Sequence, residues 1–183
     1  MSETWLVVID PQTIFASATS PWGSPTFPNI IDPMNHMVAA FHGRTIVTRW
    51  IPAATRSGSW RDYFDRWTFA DRPADDPIFD LADEARPWAE RPTIDVTTFG
   101  KWGSQLTAVT GEYPHLLLAG VSTDCCVITT ALAAADAGAW VTVVSDACAG
   151  STPDNHEAAL TVMGLYSPQI EVATTSQVLT TLT

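Results

Sequence analysis

Lysine is almost missing from this chain. Its nine cations are eight arginines and one lysine, Lys101, and neither lysine nor arginine follows that residue. Against them stand 20 acids, for a formal charge of −11. An acidic chain without a basic patch is a poor ligand for nucleic acid or for an anionic membrane, since both bind proteins through clustered positive charge. Long apolar runs are missing too. None approaches the roughly 18–20 residues of a membrane span, and the N-terminus lacks a basic leader stretch. There are only three cysteines, an odd number that argues against a disulfide framework and for a reducing, cytoplasmic compartment. Charged residues make up 16%, below the usual roughly 25%, while 46% are hydrophobic. That is the composition of a packed core and not of a disordered chain. The four histidines show no His-x-x-x-His spacing, and Cys-x-x-Cys is absent, so no metal is expected. Phosphate cradles and the Gly-x-Ser-x-Gly nucleophile elbow are also absent, and no cofactor is expected.

What is present is a set of β-rich apolar runs: Trp5 to Ile9, Thr45 to Thr48, Leu116 to Ala119 and Trp140 to Val144, with Ile170 to Ala173 a weaker fifth. Continuous rather than alternating apolar runs indicate strands buried on both faces, as in a parallel sheet. Helical stretches alternate with them: Asn29 to His42, the Ala-rich Cys126 to Ala137 stopped by Gly138, and Pro153 to Leu165 behind a Ser151/Thr152 cap. The alternation predicts a three-layer α/β/α, Rossmann-like domain over residues 1–183 with a mainly parallel central sheet. The segment from about 52 to 92 breaks the pattern. It holds nine of the 20 acids, five of the 13 prolines and three of the eight tryptophans. It reads as an irregular charged insertion with short helices over the sheet, too short to build a core of its own.

In open α/β sheets, ligands bind outside the carboxyl ends of the strands. That rule selects Asp10 after the first strand, Arg49 and Trp50 at the end of the second, Gly120 to Cys126 after the central strand, and Asp146 after the next. Asp10 follows directly on an apolar run, which suits a half-buried carboxylate either to proton transfer or to a turn cap. Cys126 opens a helix, where a thiolate is favoured, or it is a small buried hydrophobe. Cys125 and Cys148 read as structural. Lys101 lies in the turn Phe99-Gly-Lys-Trp-Gly103. It is either an ordinary surface lysine or a compact charge for which arginine is no substitute.

Together these residues resemble the isochorismatase-like cysteine hydrolase superfamily, which includes nicotinamidases and N-carbamoylsarcosine amidohydrolases. The matching pieces are Val7-Val-Ile-Asp10-Pro-Gln12, the Lys101 turn, Ala119-Gly-Val-Ser-Thr-Asp-Cys-Cys-Val127, Val143 to Cys148 and Ser151 to Leu160. The resemblance implies Cys126 as nucleophile, Asp10 as acid–base residue and Lys101 as the catalytic cation. It also implies a cis peptide between Val121 and Ser122 that aims the Ser122 N–H, with that of Cys126, into an oxyanion hole. Nicotinamidases carry an Asp-x-His metal motif after the second strand. Here that place reads Thr48-Arg49-Trp50-Ile-Pro52, which points to a metal-free branch. The activity implied is hydrolysis of a C–N bond in a small amide, ureide or lactam through a thioester. Vinyl-ether hydrolysis and a redox-sensing or binding module on the same fold are the competing readings. Phe15, Arg49, Trp50 and Trp102 are the expected substrate-binding residues. Trp22, Trp60 and Trp67 either join that wall or anchor the insertion, and Arg49 either meets a substrate carboxylate or pairs with an acid of the insertion. The expected partner is a small-molecule substrate, and the resemblance implies a homodimer or homotetramer. Lys101→Ala, or even Lys101→Arg, is expected to cripple catalysis and leave the fold intact.

Overall fold

A computed structural model describes residues 3–182. The strands are β1 (Thr4–Ile9), β2 (Thr45–Trp50), β3 (Ile94–Val96), β4 (His115–Val121), β5 (Trp140–Ala149) and β6 (Ile170–Ala173). They form one sheet in the order β3-β2-β1-β4-β5-β6, and every neighbouring pair is parallel. The first strand shows why its run of apolar residues is unbroken. Leu6 and Val8 enter one core cluster while Trp5, Val7 and Ile9 enter the other, and all five are buried. Successive side chains point to opposite faces, so a strand covered on both sides needs no polar alternation.

The helices are α1 (Thr13–Ala16), α2 (Ile31–Ala40), α3 (Trp60–Arg66), α4 (Ser104–Thr110), α5 (Ile128–Asp136), α6 (Pro153–Gly164) and α7 (Thr175–Thr180). α2, α7 and the 52–92 segment pack on the Leu6/Val8 face, and α4, α5 and α6 pack on the other. The result is a three-layer α/β/α sandwich. Within 52–92 the chain makes α3 and several single 3₁₀ turns, packed down through Phe64, Ala70, Phe79, Ala85 and Trp88. Among the described residues, no helix is long and apolar enough to cross a membrane.

Four elements were not foreseen: α1, β3, α4 and α7. Each is at most seven residues long, too short to show a period, and β3 is an edge strand with no apolar run. β5 also runs further than Val144. A register shift opposite Leu118 and Gly120 lets pairing resume through Ala149. Asp146 therefore lies inside β5, where its Oδ1 accepts from the Thr175 N–H at 2.7 Å and from Thr175 Oγ1 at 2.9 Å. It holds the start of α7, clear of the candidate site.

β1 sits between β2 and β4, and the chain moves outward from it in both directions. The carboxyl ends of β1 and β4 thus flank the switch point, the place in such sheets where a crevice opens. Gly120 makes that meeting possible. It has φ +112°, and a Cβ there would sit 2.2 Å from the Ile9 carbonyl oxygen. Only glycine lets β4 come this close to the end of β1.

Candidate active site

The polypeptide leaves β1 through Asp10, which has φ +46° and is the one non-glycine residue with positive φ among those described. Aspartate tolerates this left-handed region better than most residues. Thr48 of β2 secures the carboxylate. Its Oγ1 accepts from the Asp10 N–H at 3.2 Å and donates to Asp10 Oδ1 at 2.7 Å. The other oxygen, Oδ2, lies 2.7 Å from Lys101 Nζ, and both side chains are fully buried. Lys101 also donates to the Thr98 carbonyl at 3.0 Å. Lysine alone in this chain combines a single compact cation with a stem slim enough for that slot.

Cys126 arrives from the third direction. β4 ends at Val121, the Val121–Ser122 peptide is cis, and Thr123–Val127 forms one wide π-helical turn that runs into α5. The cysteine therefore sits on a π turn preceding the helix and not on its first α-helical turn. Thr130 of α5 ties this turn to the lysine loop. Its Oγ1 accepts from the Lys101 N–H at 3.0 Å and donates to the Cys126 carbonyl at 2.6 Å. The structure thus brings Asp10, Lys101 and Cys126, far apart in the sequence, to one point.

The electrostatics follow from burial. Loss of water pushes the Asp10 carboxyl above its ordinary value, and the Lys101 ammonium, the Thr48 hydroxyl and the Cys126 thiol pull it part of the way back. The Cys126 thiol is pushed well above the ordinary thiol range by contact with the Cys125 sulfur, by burial and by the Asp10 charge. Cys125 moves the other way, chiefly because Cys126 hydrogen-bonds to it. The surroundings thus favour the protonated form of Cys126 and raise the affinity of Asp10 for a proton. Burial raises the Cys148 thiol to about 12, in keeping with its place in the core on β5, beside β4.

Above this group lies a cavity of about 370 Å³. Ser122, Asp124, Cys125, Cys126 and Ser151 form its polar side. Aromatic rings form the rest. Phe15 and Trp50 line it as the sequence led one to expect, and Trp22 and Trp67 join them. Trp60 does not. It packs on Tyr63 and Phe99 and so supports two wall residues from behind.

Two expected substrate-binding residues are elsewhere. Arg49 faces away from the cavity and clasps Asp95 of β3 with two hydrogen bonds, of 3.0 and 2.6 Å, with Asp80 at 3.9 Å. A guanidinium next to two carboxylates on the sheet edge is satisfied there. Trp102 packs against the core cluster of Leu106, Val127 and Ala131 and lies outside the cavity lining. The neighbouring Trp50 lines the cavity, while Arg49 is taken up by the carboxylates of Asp95 and Asp80.

Sequence reasoning missed several site residues. Tyr63, Phe99, Asp124 and Ser151 line the cavity without having been singled out. Thr48 and Thr130 support the buried pair, and a hydroxyl next to a strand or helix end carries no signal on its own. Gln12 is another. Its amide accepts from the Trp50 N–H at 2.7 Å and donates to the Trp50 carbonyl at 3.0 Å and the Phe79 carbonyl at 2.7 Å. This one buried side chain joins the ends of β1 and β2 to the insertion. Among the described residues, no group of three or more His, Cys, Asp or Glu side chains is arranged to hold a metal ion.

Comparison with solved structures finds the same architecture many times. An isochorismatase-like hydrolase from Alkaliphilus metalliredigens is 18% identical with a TM-score of 0.80, over 100% of this chain and 99% of that one. A cysteine hydrolase from Pseudomonas syringae pv. phaseolicola is 20% identical with a TM-score of 0.80, over 97% of this chain and 91% of that one. A nicotinamidase/pyrazinamidase from Bacillus subtilis is 21% identical with a TM-score of 0.71, over 93% and 99% respectively. At these identities the likeness speaks for the fold. No curated protein sequence matches significantly. The family model described as the isochorismatase domain, however, matches residues 4–177, nearly the whole chain and every residue of the site just described. The chain belongs to the isochorismatase family.

Proposed function

We propose that this protein is a metal-independent cysteine hydrolase that cleaves the C–N bond of a small amide, ureide or lactam. The observation that carries the reading is the buried Asp10–Lys101 pair, 2.7 Å apart, beside the Cys126 thiol at the base of the cavity. A neutral thiol needs a base, and a carboxylate whose proton affinity is raised is a suitable one.

Asp10 takes the Cys126 proton, and Lys101 offsets the charge that remains on the pair. The sulfur attacks the substrate carbonyl carbon. The backbone N–H groups of Ser122 and Cys126 hold the developing oxyanion, a contribution of about 3–4 kcal/mol per donor. As the C–N bond breaks, Asp10 returns the proton to the leaving nitrogen. A water molecule then gives its proton to Asp10 and attacks the thioester. The acid product leaves, and the proton passes back to sulfur. The substrate is a small molecule, and no step calls for a metal or cofactor.

Release of ammonia or amine from a panel of amides, ureides and lactams tests this reading, with Cys126→Ala and Cys125→Ala measured beside the parent. Turnover is expected to vanish in the first variant and persist in the second. The reverse pattern transfers the nucleophile to Cys125. Loss of activity to a chelator, restored by zinc, overturns the metal-independent reading.

A further inference from the structure

The cavity wall is unusual in its charge. Phe15, Trp22, Trp50, Tyr63, Trp67 and Phe99 surround it, and Asp124 is the one acidic side chain among the lining residues, which include no Lys, Arg or His. The rings hold one another in place. Trp22 packs edge-on or tilted against Trp50, Tyr63 and Trp67, with centroids 5.7 to 5.8 Å apart, and lies parallel to Phe15 at 6.2 Å. Asp124 is equally fixed. Its Oδ1 accepts from the Ser151 N–H at 2.7 Å and its Oδ2 from Ser151 Oγ at 2.6 Å. Each oxygen keeps a second lone pair.

The positive charge of Lys101 is cancelled by Asp10 at 2.7 Å and buried behind the cysteine. Arg66 lies 5.5 Å over the ring of the lining residue Trp67 from an exposed position, where solvent and salt screen it. Burial and the neighbouring cysteines keep the Tyr63 phenol above its ordinary range, so it stays uncharged. The field inside the cavity is therefore that of aromatic faces plus one carboxylate. Ring faces are negative, and a cation desolvated among them is favoured. A carboxylate substrate would instead lie against Asp124 with no cation to meet it, the more so now that Arg49 is engaged by Asp95.

We infer that the substrate carries a positive charge: an amide or lactam whose non-reacting head is an alkylated ammonium, held among the aromatic rings and facing Asp124. This deepens the hydrolase reading and rests on it for turnover, while the binding preference stands by itself.

Two amides of one shape make the test. The trimethylammonium-substituted acetamide cation and tert-butylacetamide differ only in carbon replacing the ammonium nitrogen. Their binding to the Cys126→Ala protein is measured by calorimetry or tryptophan quenching, and their turnover by the parent protein as ammonia release. The cation is expected to bind at least about fivefold more tightly. Asp124→Asn, which keeps an acceptor for Ser151, is expected to remove most of that ratio. Equal binding, tighter binding of the neutral amide, or tighter binding of malonamate overturns the inference. A ratio unchanged by Asp124→Asn overturns the role of the carboxylate. Turnover of both amides at one rate with equal binding sinks this inference and leaves the hydrolase reading standing. The expected binding ratio with no turnover in any C–N panel does the opposite.

Discussion

The floor and the walls of the cavity are built in opposite ways. Asp10, Ser122 and Cys126 follow the ends of β1 and β4, Lys101 reaches in from the loop before α4, and Thr48 and Thr130 hold the polar atoms with bonds of 2.6 to 3.2 Å. The walls come from the β1–α1 region, the end of β2, the 52–92 segment and the loop at Phe99, and they are rings resting on rings. A buried polar floor tolerates little, because each lost partner strands a charge or donor in low dielectric. An aromatic wall is held by area and shape, so a change there alters what fits before it alters chemistry. In the proposed function, chemistry and selectivity thus fall to separate parts of the chain.

Mutations can break that contrast. The largest effect is expected from the floor: Cys126→Ala should lower kcat/KM by about 10³-fold or more, with Cys125→Ala within about tenfold of the parent, read as product release. Lys101→Met is next, and it should cost stability as well as turnover. Lys101 is only 2% exposed and Asp10 0%, so removing the ammonium leaves a buried carboxyl without its partner. A loss of about 3–5 kcal/mol in urea unfolding is expected. An unchanged urea midpoint would show that Asp10 simply takes up a proton.

The pH profile tests the same floor. In the proposed mechanism Asp10 must be unprotonated to receive the thiol proton, and burial raises its affinity. The acid limb of kcat/KM should therefore lie above the ordinary 3.8, activity falling as pH drops through the raised value. Thr48 lowers that value through its hydrogen bond. Thr48→Val should shift the limb to higher pH, and a limb that stays in place would remove Asp10 from the role of base. On the wall, Trp67→Leu should raise KM several-fold with kcat nearly unchanged; a matching fall in kcat would show that wall and floor are coupled. The smallest effect is expected for Arg49→Ala, whose pair with Asp95 is partly exposed, with stability changed by less than about 1 kcal/mol and turnover unaltered.

The two parts also differed in how legible they were. The floor could be read because its residues sit at strand ends and in a family signature: Asp10 after an apolar run, Ser122 to Cys126 before an Ala-rich helix, and one lysine in the whole chain. The wall could not be read residue by residue. Trp50, Trp60 and Trp102 look alike in sequence, yet one lines the cavity, one supports it and one packs on the opposite core face. Arg49 was open between a ligand and an acid, and pairing with β3 decided it, a strand of three residues that no periodicity reveals.

The sequence by itself determined the layered α/β fold, since two-sided burial demands unbroken apolar strands, and it determined which residue types stand at the carboxyl ends. Tertiary structure alone decided which of them meet. Asp10, Lys101 and Cys126 come together because β1 and β4 pair side by side through a glycine and α5 passes above the lysine loop. Distances between side chains of that separation are set by strand order and packing, which no local run of residues encodes. The same holds for the single lysine. Its rarity drew notice to it, and only the tertiary structure placed it buried against Asp10.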